Sequence, residues 1–185
     1  MTAARARSIY RPPWRIDLDL RPGIDAPLGA GAIGRLVAAA LDATGAPAPA
    51  SIGVILSDDV ELARLNAEHM GADGPTDVLS FPLLPPEWFA AAAPDPVVPR
   101  PPGTRLHLGD IVVSVERAEE QAVTGHGGQT GDVRWSVADE VRLLVVHGTL
   151  HICGWDHADP VEEAAMRALE RRLLEEDRAS VGRSG

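Results

Sequence analysis

The stretch His147-Gly148-Thr149-Leu150-His151-Ile152-Cys153-Gly154-Trp155-Asp156-His157 places three of the chain's six histidines within eleven residues. His147 and His151 are four apart, so on a helix their side chains share one face and can reach one ion. Ser136 is a suitable N-cap for such a helix, which then runs to about Cys153. Gly154 can take the left-handed conformation that ends a helix and turns the chain back, bringing His157 toward the same point. Leu143, Leu144, Val145, Val146, Leu150 and Ile152 make the helix apolar on nearly every face, so burial is expected. Imidazoles buried without partners cost on the order of a few kcal/mol, and a shared cation removes that cost. Three protein ligands with an open fourth position are the arrangement of a catalytic zinc, which acidifies its water toward neutrality. His147, His151 and His157 are therefore the expected ligands of one zinc ion per chain. Asp156 and Asp159 flank the third histidine, as orienting groups or as exposed turn aspartates. Cys153 falls off the histidine face and reads as a small core residue.

The spacing H-x-x-x-H-x-x-G-x-x-H is that of the metzincin metalloproteases, which place a glutamate directly after the first histidine as general base. Here that position is Gly148. Glycine performs no acid–base chemistry, so the ligand set survives while ordinary peptide hydrolysis loses its central group.

Outward from this helix, strand and helix signals intersperse. Trp14 and Ile16 to Leu20 alternate apolar and polar, as in an edge strand, after a loosely held arm over residues 1–15. Residues 29–44 carry apolar side chains at helical spacing and stop at Gly45. Residues 51–56 read as a buried strand, Asp58 as the N-cap of a helix through His69, and Val78 to Phe81 as the next strand. Residues 83–106 are Pro- and Ala-rich and read as an inserted loop, with a lid as the functional alternative. A strand over Leu108 to Val115 and a short helix follow, then a glycine-rich loop over 125–131. Pro160 opens a last amphipathic helix through Leu174, leaving 177–185 as a tail. This succession indicates one α+β domain, a small mixed β-sheet packed with helices.

Composition narrows the function classes. All 17 Lys+Arg residues are arginine, and the formal net charge of −10 excludes whole-molecule attraction to polyanions while leaving room for a local basic groove. No apolar run is long enough to span a membrane, no apolar segment follows the N-terminal arginines, and Cys153 is the only cysteine. A cytoplasmic location is expected.

Three segments in register resemble one family. HGTLHICGWDH is similar to the signature of the YbeY family of bacterial endoribonucleases and ribosomal RNA maturation factors. Leu65-Asn66 followed by Gly74-Pro75-Thr76-Asp77-Val78-Leu79-Ser80-Phe81-Pro82 resembles its LN…PTDVLSFP motif. Leu108-Gly109-Asp110-Ile111 resembles its LGDI strand, and Glu163, Met166 and Glu170 resemble its tail pattern. The resemblance covers roughly residues 51–175. It implies an α+β domain with a metzincin-like metal helix, a single zinc on the three histidines, and cleavage of single-stranded RNA. It further implies maturation of the 3′ end of 16S ribosomal RNA, with the small ribosomal subunit as partner, and a part in ribosome quality control. Asp110, Asp156 and Ser80 are candidates to orient ligands or touch substrate. For Ser80 the plainer reading is a satisfied strand hydroxyl, and for Asp110 a turn role. The family's aromatic–arginine–glycine–basic segment corresponds here to His69-Met70-Gly71-Ala72, so Met70 stands in the arginine's place. Arg64, Arg105 or Arg142 are left to supply charge. The competing readings are a non-catalytic, zinc-stabilised ribosome-assembly factor and, disfavoured by Gly148, a metallopeptidase-like hydrolase.

Overall fold

The computed structural model describes residues 5–89, 103–124, 135–156 and 159–182. Strict alternation makes β2, Trp14–Leu20, bury every second side chain. It pairs antiparallel with β1, Arg5–Arg11, and parallel with β3, Ala50–Ser57. β5, Leu106–Ser114, continues the sheet parallel to β3, and β4, Val78–Pro82, closes it antiparallel to β5. The result is an α+β fold with a mixed five-stranded sheet of order β1-β2-β3-β5-β4.

Two expectations about the N-terminal region change. Residues 5–11, expected as part of a loose arm, form a strand along the whole length of β2. β2 is thereby interior and β1 takes the edge. The alternation read for an edge strand was correct for burial, because a pleated strand shows period two whether or not its outer side is paired.

Helix α1, Ala30–Ala43, lays Ile33, Leu36, Val37, Ala40 and Leu41 on one face of the sheet. α4, Val137–Ile152, lies beside it and buries Val141, Leu144, Val145, Val146, Leu150 and Ile152 in the same core. α5, Pro160–Gly182, packs on both through Met166, Leu169, Leu173 and Leu174. It therefore extends past Leu174 through most of the expected tail. Asp177, with a side chain only 5% exposed, is held there by Arg35 of α1 at 3.1 Å and lies against Arg142 of α4. α2, Asp59–Met70, packs on β5 and β4, α3, Val115–Thr124, packs on α4, and Leu62 of α2 meets Leu79 and Val112 in a smaller second cluster.

Two local devices position later features. The register of β3 on β5 shifts between Ser51 and Gly53, and Gly109 accommodates the shift at φ +148°, where a Cβ would stand 2.3 Å from the Phe81 carbonyl oxygen. The extra residue puts His107 and Asp110 on one side of β5, Nε2 to Oδ1 3.2 Å. Within the expected 83–106 loop, Pro86–Trp88 form a 3-10 turn, Phe89 is buried, and β5 already begins at Leu106. Residues 90–102 of that loop, and the expected loop over 125–131, lie outside the described residues. Among the described residues no helix is long and apolar enough to cross a membrane.

Candidate functional site

Helix α4 is fixed at its start by a capping box. The Ser136 hydroxyl accepts the Asp139 backbone N–H, and the Asp139 carboxylate accepts the Ser136 N–H. The helix ends at Cys153, followed by Gly154 at φ +80°. The turn after it returns the Trp155 carbonyl to the helix end, 2.9 Å from His151 Nδ1. From α5, Glu170 Oε1 reaches His147 Nδ1 at 2.7 Å.

These two contacts decide the ring chemistry. A carbonyl oxygen only accepts, so His151 Nδ1 carries the proton and donates it. An ionised Glu170 likewise accepts from His147 Nδ1–H. With both Nδ1 atoms so engaged, the two Nε2 atoms face each other 3.1 Å apart. At that separation the pair is satisfied either by one proton shared between the two nitrogens or by a metal cation between them. Two imidazole nitrogens on a tetrahedral zinc with bonds of about 2.0–2.1 Å stand about 3.3 Å apart, so the pair fits such an ion. The geometry follows from the i, i+4 spacing together with the fixed Nδ1 partners, which set both ring orientations.

His147 and His151 line an open groove of about 570 Å³ with Met70, Thr76, Asp77, Val78, Ser80, Pro86, Trp155 and Asp156. The groove runs between α4 and β4. Of the candidates read from the sequence, the structure brings Ser80 and Asp156 to the wall of this groove. Ser80 Oγ donates to the Gly148 carbonyl at 3.1 Å and so ties β4 to α4. Asp110 is not among the groove-lining residues; it pairs with His107 on β5. His157 lies outside the described residues. Asp159 caps α5, accepting the N–H groups of Val161 and Glu162. Cys153 is 2% exposed, and burial pushes its thiol up to about 12.

Gly148 has a structural reason. A Cβ there would meet Ile111 Cγ2 at 2.6 Å, with Ser80 Oγ and Val78 Cγ2 at 3.2 Å. The space that a protease gives to its glutamate is filled by β4 and β5, so no longer side chain fits without separating helix from sheet.

Sequence reasoning named Glu170 only within the tail pattern, not as the partner of His147, and missed the Trp155 carbonyl. A main-chain acceptor leaves no trace in residue types. Glu170 left a faint one: it falls with Asp177 in the stripe formed by Met166, Leu169, Leu173 and Leu174, where a carboxylate needs a partner. Met70 is exposed and lines the groove at the position expected for a cation. Arg64 instead pairs with Glu68, Arg105 with the Pro13 carbonyl, and Arg142 with Asp139. Among the described residues the lining holds two carboxylates and no arginine.

Fold and site define a small α+β protein whose buried helix presents two converging imidazoles to an open groove. The sequence profile of endoribonuclease YbeY matches residues 29–177. The endoribonuclease YbeY of Salinispora tropica is 45% identical over 142 residues, covering 73% of this chain and 79% of its own. That of Roseiflexus sp. is 37% identical over 161 residues, covering 86% and 90% respectively. The solution structure of TM1509 from Thermotoga maritima shares the fold, with a TM-score of 0.52 and 22% identity over 92% of this chain and 93% of that one. The chain belongs to the endoribonuclease YbeY family.

Proposed function

We propose that this protein is a zinc-dependent, single-strand-specific endoribonuclease that matures the 3′ end of 16S ribosomal RNA. In this reading it works in the cytoplasm with the small ribosomal subunit and serves ribosome biogenesis and quality control. One zinc ion is held by His147 and His151 on a metzincin-like helix, with His157 as third ligand. The observation that carries the reading is the pair of Nε2 atoms 3.1 Å apart, both aimed by fixed Nδ1 partners. When bound, zinc supplies Lewis acidity toward a phosphodiester. The chain's own residues do the remainder. Glu170 and the Trp155 carbonyl hold the rings in one tautomer and orientation. Ser80, through the Gly148 carbonyl, holds the groove wall against the helix.

The test is cleavage of single-stranded and duplex RNA by zinc-loaded protein, with and without chelator, beside His147→Ala. Cleavage of the single strand alone, abolished by chelator and by the substitution, is expected. Identical activity in His147→Ala would remove the histidine site from the chemistry.

A second reading is favoured by the absence of arginine from the described groove lining. In it the protein is a ribosome-assembly factor, stabilised by zinc and acting by docking. Zinc-loaded protein that binds the small subunit but cuts no RNA would select it.

A further inference from the structure

The histidine site makes no use of the most basic feature of the molecule. The first fifteen residues carry four arginines and no acid, in a chain of net charge −10. Arg5, Arg7 and Arg11 are exposed, and among the described residues no ion pair engages them. Arg15, Arg21, Arg35, Arg117 and Arg142, by contrast, each face a carboxylate. Register places the three free arginines opposite Leu20, Leu18 and Trp14, so all project from the face of β1 turned toward α1. Ile9 shares that face and seats against α1, its Cγ2 where a Cβ on Gly34 would come within 2.7 Å. The strand is thus anchored to the body, and the arginines are presented along a fixed line. Two residues along a strand advance about 6.7 Å, close to the backbone repeat of an extended polynucleotide. The family match begins at residue 29, so β1 lies outside it.

We propose that β1 binds the phosphate backbone of single-stranded RNA through Arg5, Arg7 and Arg11. The proposal rests on the reading of RNA as substrate and names where an acidic protein holds it. Guanidinium groups match phosphate bidentately, and the groove beside the histidines offers carboxylates and apolar surface instead. β1 and β4 are opposite edges of a five-stranded sheet, roughly 19 Å apart at the usual strand spacing. An RNA reaching from one to the other must be several nucleotides long, so the strand favours long substrates over short ones.

Fluorescence anisotropy with a labelled oligouridylate, across a salt series, tests this on the full chain. R5Q/R7Q/R11Q is expected to bind about tenfold or more weakly at low salt, with a log–log salt slope smaller by about 2, since each phosphate contact on a single strand contributes about 0.7. R5K/R7K/R11K should keep the wild-type slope. If circular dichroism shows the triple glutamine variant unfolded, R5Q/R7Q should lower the slope by about 1.4. An unchanged slope with wild-type RNA binding intact overturns this proposal alone, and leaves the arginines as protection for an open strand edge. Wild-type protein that binds no RNA at any salt overturns both this proposal and the reading of RNA as substrate. Wild-type binding to phosphatidylserine vesicles but not to RNA, lost in the same variant, overturns it in favour of a membrane surface.

Discussion

Glu170 of α5 holds His147 of α4 by a 2.7 Å contact between its carboxylate and Nδ1, across 23 residues of sequence. The contact fixes which ring nitrogen carries the proton, and so aims Nε2 at its counterpart on His151. Partners of this kind typically influence metal affinity by 10–100-fold. Glu170→Ala is therefore expected to raise the zinc dissociation constant by about that factor in chelator competition. Cobalt-substituted protein should show altered ligand-field bands in the variant. Wild-type affinity together with unchanged bands would sink the positioning role.

Gly148→Ala introduces a methyl group 2.6 Å from Ile111 Cγ2. Overpacking of this kind costs about 1–3 kcal/mol. For a domain of this length that corresponds to a fall in Tm of roughly 2–12 °C, read by thermal melting. Gly148→Glu should be worse, which bears directly on any attempt to restore a protease-like base.

Glu61 carries a pH dependence. The Arg21 guanidinium donates to it at 2.7 and 2.8 Å and, with the Ser57 hydroxyl, holds its carboxyl below the usual value of 4.5, against an opposing push from burial. A depressed folded-state value stabilises above the unfolded value and is lost as pH falls through the folded one. The urea midpoint of Glu61→Gln should lie below wild type at neutral pH. The gap should close as pH drops below about 4.5, the range set by that shift. A gap that stays constant across the acid range would refute the linkage.

Cys153 should be inert in the folded protein. Its thiol is buried and pushed up to about 12, so almost no thiolate exists at mildly alkaline pH. Ellman's reagent at that pH should react with the chain only after denaturant is added. Prompt labelling of native protein would contradict the packing at the end of α4.

Much of this protein was legible in its residues alone. Period two in Trp14–Leu20 and helical spacing in Ala30–Ala43 announced their elements because burial imposes a pattern on each strand and helix. The pairing of His147 with His151 was equally readable, since an i, i+4 spacing on a helix is a short-range geometric fact. Long-range partners were not. Residues 1–15 looked like an arm because β1 is an exposed edge strand, and mostly exposed side chains leave little alternation to read. The reach of α5 beyond Leu174 was hidden because its later contact is a carboxylate, Asp177, meeting arginines from α1 and α4. Likewise the family's arginine position could be seen to hold Met70, but only the fold shows that Met70 lines the groove. The sequence by itself determined the helices, most strands and the two histidines that face one another. Tertiary structure alone decided their tautomers, the exclusion of a side chain at Gly148 and the line of arginines along the outer edge. Each of those depends on which distant segment packs against a residue, and local pattern does not encode that.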